Sequence, residues 1–347
     1  MIALLASQKR AALALSLSAL ALAGCQSDSE VGVGSDPDTA VQGNATPAPS
    51  PAATNPAGKL SLEGQSLKDL AVIDSTVAVH SATGLEVGSQ SDFEAGKAAT
   101  VPLNESCGEL TASEQGFVIA CGDKVLIIDP TEPTSPTEVD VSEDAPATAA
   151  ALISSGELFV TSADTAEVGV YREGQRVEDI TAEAGSDQLI PVPNANIRDN
   201  VVRIQRSDST IQNLDWEHDR AGGRLRAGQG VGQIAAGDNG IVLASDTVGK
   251  RLAIYTADDV IRLHQYGNTP GVPWAVAWDE GRQLAWVTTT DTNEAHAYNI
   301  STGVPIEKGS FPTVSAAEHM AVLEDGTLVV ASATGDGLQF YSDPDLK

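Results

Sequence analysis

The sequence is poor in basic residues and aromatic residues, and it shows no helical pattern beyond its N-terminal segment. Its 20 Lys and Arg residues stand against 48 Asp and Glu, which gives a formal net charge of −28. A surface of that sign repels nucleic-acid phosphates and anionic lipid headgroups. We therefore expect no nucleic-acid partner. Without a 3.6-residue apolar period, the fold is not predicted to be helical.

Motifs of nucleotide binding and of common catalytic centres are also missing. The sequence has no G-x-S-x-G elbow, no P-loop and no G-x-G-x-x-G fingerprint. Calcium-binding loops of the EF-hand type are absent as well. The histidines are scattered, so their spacing predicts no metal triad; they are His80, His218, His264, His296 and His319. We expect no cofactor, with Ca²⁺ as the alternative.

Cysteine occurs three times, and the first ends an apolar run. A positive pair at residues 9–10 precedes an apolar stretch, 11–23, which is shorter than the roughly 20 residues that a membrane-spanning helix needs. The letters LAGC at 22–25 resemble a bacterial lipobox. We predict a signal peptide over 1–24 and a lipid on Cys25, which places the protein on the extracytoplasmic face of the cell membrane. The alternative is an ordinary signal peptide with an incidental cysteine.

The segment after Cys25 is rich in Pro, Ala, Ser, Thr and Gly and has almost no large apolar residues. Such a composition cannot bury enough surface to offset chain entropy. We expect residues 25–58 to form the lipidated cysteine and a disordered tether, and residues 59–347 to form the folded domain.

A repeat of about forty residues organises that domain. Each copy is a pair of short alternating apolar strands bounded by Gly, Asp, Asn and Ser, a pattern typical of β-hairpins. The copies lie at 75–87, 116–129, 156–171, 200–215, 239–255, 282–298 and 326–341. Seven copies of a four-stranded unit predict an all-β fold, the seven-bladed β-propeller. The last copy lacks an outer strand, so we expect residues 59–64 to complete it and close the ring.

The two remaining cysteines, Cys107 and Cys121, fall on neighbouring strands of one predicted hairpin. Opposed positions on antiparallel strands are suitably spaced for a disulfide, and an exported protein meets an oxidising environment. We predict the bridge, with two buried free thiols as the alternative. In the chain-entropy model a loop of this size contributes about 3 kcal/mol.

The C-terminal half resembles the actinobacterial lipoprotein family LppL. The similar segments are LRAGQG (225–230), LAWVT (284–288), STGVPIEK (301–308) and FPTV (311–314). The signal peptide, the lipobox and the proline-rich tether agree in kind, and the blades are more distantly similar to YncE and lactonase-like propellers. The resemblance implies an envelope lipoprotein and implies no particular reaction.

Propellers usually bind ligands at one mouth of the central channel, on the loops that enter the inner strands. The polar and aromatic residues predicted there are Arg226, Gln229, Gln233, Asn268, Trp274, Glu318 and His319. An arginine can hold a carboxylate or phosphate, a tryptophan can stack on a ring, and Glu318 beside His319 can act as a base or ligand. The alternative is that these residues only build turns.

We therefore expect a monomeric, lipid-anchored ectodomain whose propeller is a binding or scaffold module for an envelope protein, a glycan or a small molecule. The second possibility is a hydrolase of the lactonase type, with a divalent cation such as Ca²⁺ in the channel. The two differ in whether the channel provides a set of metal ligands.

Overall fold

The structure, a computed structural model, describes residues 43–342. Within that range the chain forms seven four-stranded antiparallel sheets arranged as the blades of a ring. The prediction of a seven-bladed β-propeller is confirmed. The predicted signal peptide and Cys25 lie outside the described residues.

Strand β1 (Lys59–Ser61) opens the series, and each blade then follows in chain order from its inner to its outer strand. Blade 1 consists of β2 (Leu67–Ile73), β3 (Thr76–Ser81), β4 (Gly84–Ser89) and β5 (Ala99–Val101), and blade 2 consists of β6 (Cys107–Ser113), β7 (Gly116–Cys121), β8 (Lys124–Ile128) and β9 (Thr137–Asp140). Blade 3 consists of β10 (Ala149–Leu152), β11 (Leu158–Thr161), β12 (Glu167–Arg172) and β13 (Gln175–Thr181). Blade 4 consists of β14 (Gln188–Val192), β15 (Asn200–Gln205), β16 (Thr210–Asp215) and β17 (Arg220–Arg226). Blades 5 to 7 are β18 (Val231–Ala236), β19 (Ile241–Asp246), β20 (Arg251–Ala257), β21 (Ile261–Asn268); β22 (Pro273–Asp279), β23 (Leu284–Thr289), β24 (Glu294–Asn299), β25 (Ile306–Pro312); and β26 (Ala317–Val322), β27 (Leu328–Ser332), β28 (Leu338–Tyr341).

The hydrophobic core is divided among the spaces between neighbouring blades. Each of its seven clusters joins apolar side chains of two adjacent blades. At the seam between the last blade and the first, Leu67 and Val79 pack with Leu338 and Phe340. The seam is therefore built like every other blade interface.

The ring closes as the sequence predicted. Strand β1 pairs antiparallel with β28, with Lys59 opposite Phe340 and Ser61 opposite Leu338. The strand ends earlier than the predicted residue 64, because Leu62 adopts a left-handed backbone with φ of 55° and turns the chain away.

One short α-helix, α1 (Gln90–Glu94), interrupts the all-β pattern in blade 1. Ser89 caps it by accepting from the Asp92 backbone, and the Asp92 side chain accepts from the Ser89 backbone in return. A single turn is too short to produce the helical period that the sequence lacks. Three one-turn 3-10 helices lie at Ser142–Asp144, Trp216–His218 and Asp238–Gly240.

Part of the predicted tether is not free chain. Residues 43–58, which we call the strap, lie against the propeller in an extended conformation and belong to the same compact unit. The expectation of disorder therefore does not hold for this part. Four prolines fix much of its backbone and reduce the entropy that docking costs, at positions 47, 49, 51 and 56.

The strap is held mainly by hydrogen bonds, and its apolar contacts are limited to small side chains such as Ala45 and Ala57, which is why its composition did not predict docking. The Ser50 hydroxyl donates to the Asn293 side chain and accepts from the Ala316 amide at 2.8 Å. The Pro51 carbonyl accepts from Asn293 at 2.8 Å, and the Ala48 amide donates to Thr290 at 3.1 Å. These partners lie in the β23–β24 turn and the β25–β26 connection.

The strap begins at a site shaped for a glycine. The Gly43 amide donates to the Gln229 carbonyl at 2.8 Å, and a Cβ on Gly43 would lie 2.2 Å from the Ser207 carbonyl oxygen. Its φ of 82° is likewise a conformation that glycine tolerates best. The strap thus reaches from blade 7 to blade 4 along one end of the propeller.

Cys107 and Cys121 form a disulfide, as predicted, between β6 and β7 of blade 2. Among the described residues, no helix is long and apolar enough to cross a membrane.

Candidate functional site

The inner strands all begin at the end of the channel along which the strap runs, and we call this end the channel mouth. In blades 1, 2, 5, 6 and 7 the pairing of the inner strand shifts register near its start. Such a bulge redirects side chains out of the sheet. The repeated shift therefore gives these blades a common position from which side chains face the channel.

Polar residues occupy that position in blades 1, 2, 5 and 7. Each is the third residue of its inner strand; they are Asp69, Glu109, Gln233 and His319. In blade 4, whose inner strand pairs without a register shift, Gln188 begins β14. Sequence reasoning found only Gln233 and His319. It missed the others because the entering loops were read one by one, without aligning the inner strands of the repeats.

Asp69 and His319 form an ion pair that joins the first blade to the last. The His319 Nδ1 lies 3.1 Å from Asp69 Oδ1, and both side chains are about nine-tenths buried, with 13% and 10% exposed. The Asp69 carboxylate also accepts from the Leu70 and Leu110 amides, each at 2.7 Å. Gln188 plays the same bridging role further round the ring, accepting from the Ile234 amide at 3.0 Å.

Glu109 lies next to this pair and is held close to its protonated form. Burial, together with the charges of Asp69 and Asp187, raises the pKa of Glu109 to about 7, although His319 and Arg206 act in the opposite direction. Within residues 43–342 its carboxylate accepts no hydrogen bond.

His319 responds to the same surroundings. Burial disfavours its charged form, but the ion pair with Asp69 and the carboxylates of Glu109 and Glu318 outweigh that penalty and raise its pKa. Burial also raises the pKa of Glu318. The mouth thus contains one group, Glu109, whose pKa lies near neutral pH, beside two groups whose pKa values are raised.

A cavity of about 240 Å³ opens beside Glu109. Its lining consists of Lys68, Asp69, His80, Cys107, Gly108, Glu109, Thr148 and Asp187. His80 is only 3% exposed, and burial and the charge of Lys68 lower its pKa. The ring is therefore neutral at pH 7.

Arg206 and Trp274 form a further part of the mouth, which adjoins the cavity at Asp187. The Arg206 guanidinium lies 5.8 Å from the centre of the Trp274 ring and donates to the Gly232 carbonyl at 2.8 Å. The Arg206 amide donates to the Asp187 carboxylate at 2.6 Å. These contacts fix the Arg206 side chain and connect blade 4 to blades 5 and 6.

The structure brings together four of the seven residues predicted for the mouth. Gln233, Trp274, Glu318 and His319 lie on inner strands, and the Gln233 amide nitrogen is 3.3 Å from His319 Nδ1. The Gln229 backbone lies under the strap.

Arg226 and Asn268 lie elsewhere, exposed at the ends of the outer strands β17 and β21. The sequence pattern predicts longer loops before the inner strands and includes both residues in them. In the structure the outer strands extend to residues 226 and 268, so the loops begin after them. Cys25 lies outside the described residues.

A second cavity, of about 430 Å³, lies on the flank of blade 2 and is lined by fewer titratable side chains. Its charged residues, Lys124 and Glu138, pair with each other at 2.7 Å. The cavity is otherwise lined by apolar, proline and small polar side chains together with the disulfide. The smaller cavity at the channel mouth is therefore the stronger candidate for a functional site.

A channel-bound divalent cation would need several converging ligands. Among residues 43–342, no group of three or more His, Cys, Asp or Glu side chains is arranged to hold a metal ion.

Comparisons with known proteins define the class of the protein by its fold. A structure of the mitotic checkpoint complex matches with a TM-score of 0.68 at 14% identity, covering 87% of this chain and 98% of that one. Hydrazine synthase of Kuenenia stuttgartiensis matches at 0.63 and 11% identity, covering 84% and 98%. Streptogramin B lyase matches at 0.62 and 13% identity, covering 83% and 97%. No family model and no curated protein matches the chain. At these identities the likeness shows the propeller fold alone.

The pKa of Glu109 predicts that the domain loses stability as the pH rises. Between the usual value of 4.5 and about 7 the folded state binds more protons than the unfolded state, so the free energy of unfolding falls with rising pH. The raised pKa of His319 acts in the same direction. We expect a loss on the order of 3 kcal/mol from Glu109 between pH 4.5 and 8.

Urea unfolding at several pH values checks this expectation. Glu109→Gln should remove most of the loss, whereas Glu105→Gln, which changes an exposed acid in the connection that leads into β6, should retain it. Equal pH profiles for the two variants would contradict the assignment.

Proposed function

We propose that this protein is a lipid-anchored, extracytoplasmic binding module whose channel mouth holds a small polar ligand. The observation that carries the proposal is the group of polar side chains around the cavity beside Glu109. Asp69 and Glu109 come from the same position of two neighbouring blades, and Glu109 and His80 retain free hydrogen-bonding groups. Pockets with a few convergent polar groups and shifted pKa values are the usual sites of ligand binding.

The proposed location rests on the N-terminal sequence and on the disulfide. A lipobox ending at Cys25 would supply two acyl chains, which suffice for stable anchoring. A disulfide between Cys107 and Cys121 fits an oxidising compartment outside the cytoplasm. We also propose membership of the actinobacterial LppL lipoproteins, on the segments between residues 225 and 314 that resemble that family.

The anchoring is tested by metabolic labelling with a fatty-acid analogue. We expect label on the wild-type chain and none on Cys25→Ala, because the acyl chains need that sulfur. Cys121→Ser should remain labelled and serves as the control. Persistent labelling of Cys25→Ala would contradict the anchor.

The binding role is tested by thermal unfolding in the presence of fractionated envelope extract. A fraction that contains the ligand should raise the Tm of the wild type and fail to raise that of His319→Gln. His218→Gln, which changes a largely exposed ring on the outer part of blade 4, is the matched control. If every fraction affects wild type and His319→Gln alike, the mouth is not the binding site.

A further inference from the structure

We propose that the cavity beside Glu109 binds a small ligand through a protonated amine, which pairs with the Glu109 carboxylate and donates to the His80 ring. This inference rests on the proposed binding function and adds the chemical class of the ligand. The ligand is small, because a cavity of about 240 Å³ is below the ~300–1,000 Å³ of pockets for drug-sized molecules.

The first argument is that two side chains on this cavity lack partners. His80 is 97% buried, since 3% of it is exposed, and within residues 43–342 neither ring nitrogen makes a hydrogen bond. The Glu109 carboxylate, half-buried on the same cavity, also accepts none. Both side chains line the cavity, so their unpartnered polar atoms are open to it. Because polar groups in such sites are normally paired, these two point to a molecule that completes them.

The second argument concerns the chemical group that would pair with Glu109 and His80. Most of the free atoms are acceptors: two carboxylate oxygens of Glu109 and the unprotonated nitrogen of a neutral His80, beside a single donor, the other His80 nitrogen. Asp187 adds a further oxygen, since the contact of its side chain to the Arg206 amide uses Oδ2. An ammonium group offers three donors and a positive charge, and hydrogen bonds between charged groups are the strong ones.

The third argument is that the fixed cations nearby are already engaged. His319 pairs with Asp69 at 3.1 Å, and Arg206 donates to the Gly232 carbonyl while lying over Trp274. Lys68 lies on the rim with its side chain exposed. His319 and Arg206 act on Glu109 through their charges, but within residues 43–342 no ion pair joins the Glu109 carboxylate to a cation.

Amine binding should depend on pH, because it requires the ionised form of Glu109. The titratable and charged groups around Glu109 come from every adjoining element: Lys68 and Asp69 from β2, His80 from β3, Asp187 before β14, Arg206 after β15, and Glu318 and His319 from β26. With the pKa of Glu109 near 7, raising the pH from 6 to 8 should strengthen amine binding about tenfold.

Three probes of similar size separate the possible ligand classes: ethanolamine carries an ammonium, ethylene glycol is neutral and glycolate carries a carboxylate. The Kd of each is measured with the full chain in non-ionic detergent, from the dependence of Tm on probe concentration. We expect ethanolamine alone to bind, and to bind more tightly at pH 8 than at pH 6.

Variants locate the site. Glu109→Gln should weaken ethanolamine binding at least about tenfold, because it removes the charge and leaves the shape. Glu105→Gln should bind like the wild type. Lys68→Gln should bind ethanolamine as well or better, since it removes the one ammonium on the rim. The pH profile of the wild type requires no variant and remains decisive if Glu109→Gln fails to fold.

The outcomes are distinct from those of the proposed function. If glycolate binds and ethanolamine does not, the amine class is wrong while a binding role at the mouth stands. If ethanolamine binds equally at both pH values or equally to Glu109→Gln, the site is wrong. If no probe changes the Tm, the inference of an amine ligand is overturned. The proposed binding function is then tested only by thermal unfolding with the envelope fractions.

Discussion

A chain that starts at Gln65 should lose most of its stability, whereas a chain that starts at Gly43 should unfold like the longer protein. Starting at Gln65 removes strand β1 and the strap. Within the described residues this deletes the pairing of β1 with β28 and eight hydrogen bonds between the strap and the rest of the domain. At a net ~1 kcal/mol each, offset by the entropy of ordering the strap, the loss is on the order of 5 kcal/mol.

Differential scanning calorimetry measures this difference. With a shift of ~1.7 °C per kcal/mol for a domain of this size, the Tm of the chain starting at Gln65 should fall by ~8 °C. The exposed edge of β28 should also make this chain prone to association. If both chains unfold at the same temperature, β1 and the strap are not integral to the ring.

The second large effect is expected at Trp286, in the core between blades 6 and 7. Its side chain is 1% exposed and meets Phe311 edge to face, with ring centres 5.6 Å apart. Trp286→Ala should cost about 3–5 kcal/mol, because it removes both the buried apolar surface and this contact.

Trp286→Phe is the matched comparison. The Trp286 indole nitrogen has no hydrogen-bond partner within residues 43–342, so a phenyl ring loses no polar contact. We expect less than half the cost of the alanine variant in urea unfolding. A phenylalanine that costs as much as alanine would show that packing volume is not what Trp286 contributes.

The fold was largely predictable because it is repeated. The same strand pattern occurs in seven similar hairpins, so each copy supports the prediction from the others. The last blade lacks an outer strand of its own after residue 341, which is why β1 could be predicted to complete it. The paired cysteines could be predicted for the same reason, since the hairpin register places them opposite each other.

The strap and helix α1 could not be predicted, because neither leaves an apolar pattern. The strap docks through its backbone and through Ser50, and such contacts depend on partners that are about 240 residues away in the sequence. Helix α1 depends on one local cap between Ser89 and Asp92. Composition and periodicity detect neither kind of contact.

The channel mouth was half predictable, but none of the seven residues predicted for it lines the cavity beside Glu109. Gln233, Trp274, Glu318 and His319 were found because they stand at the visible starts of inner strands. Asp69, Glu109 and His80 were missed, the first two because bulges set which residue faces the channel. His80 belongs to the second strand of its blade, β3, and reaches the mouth only through its pairing opposite Asp69. An alignment of the seven inner strands would have found Asp69 and Glu109 and not His80.

The central claim, that the channel mouth holds a small ligand, is tested most directly by a crystal structure of the protein purified from its native host. We predict electron density for a small molecule beside Glu109 and His80, with a donor group within hydrogen-bonding distance of both. A mouth that contains only water, in crystals whose protein was never exposed to denaturant or competing amines, would contradict the claim.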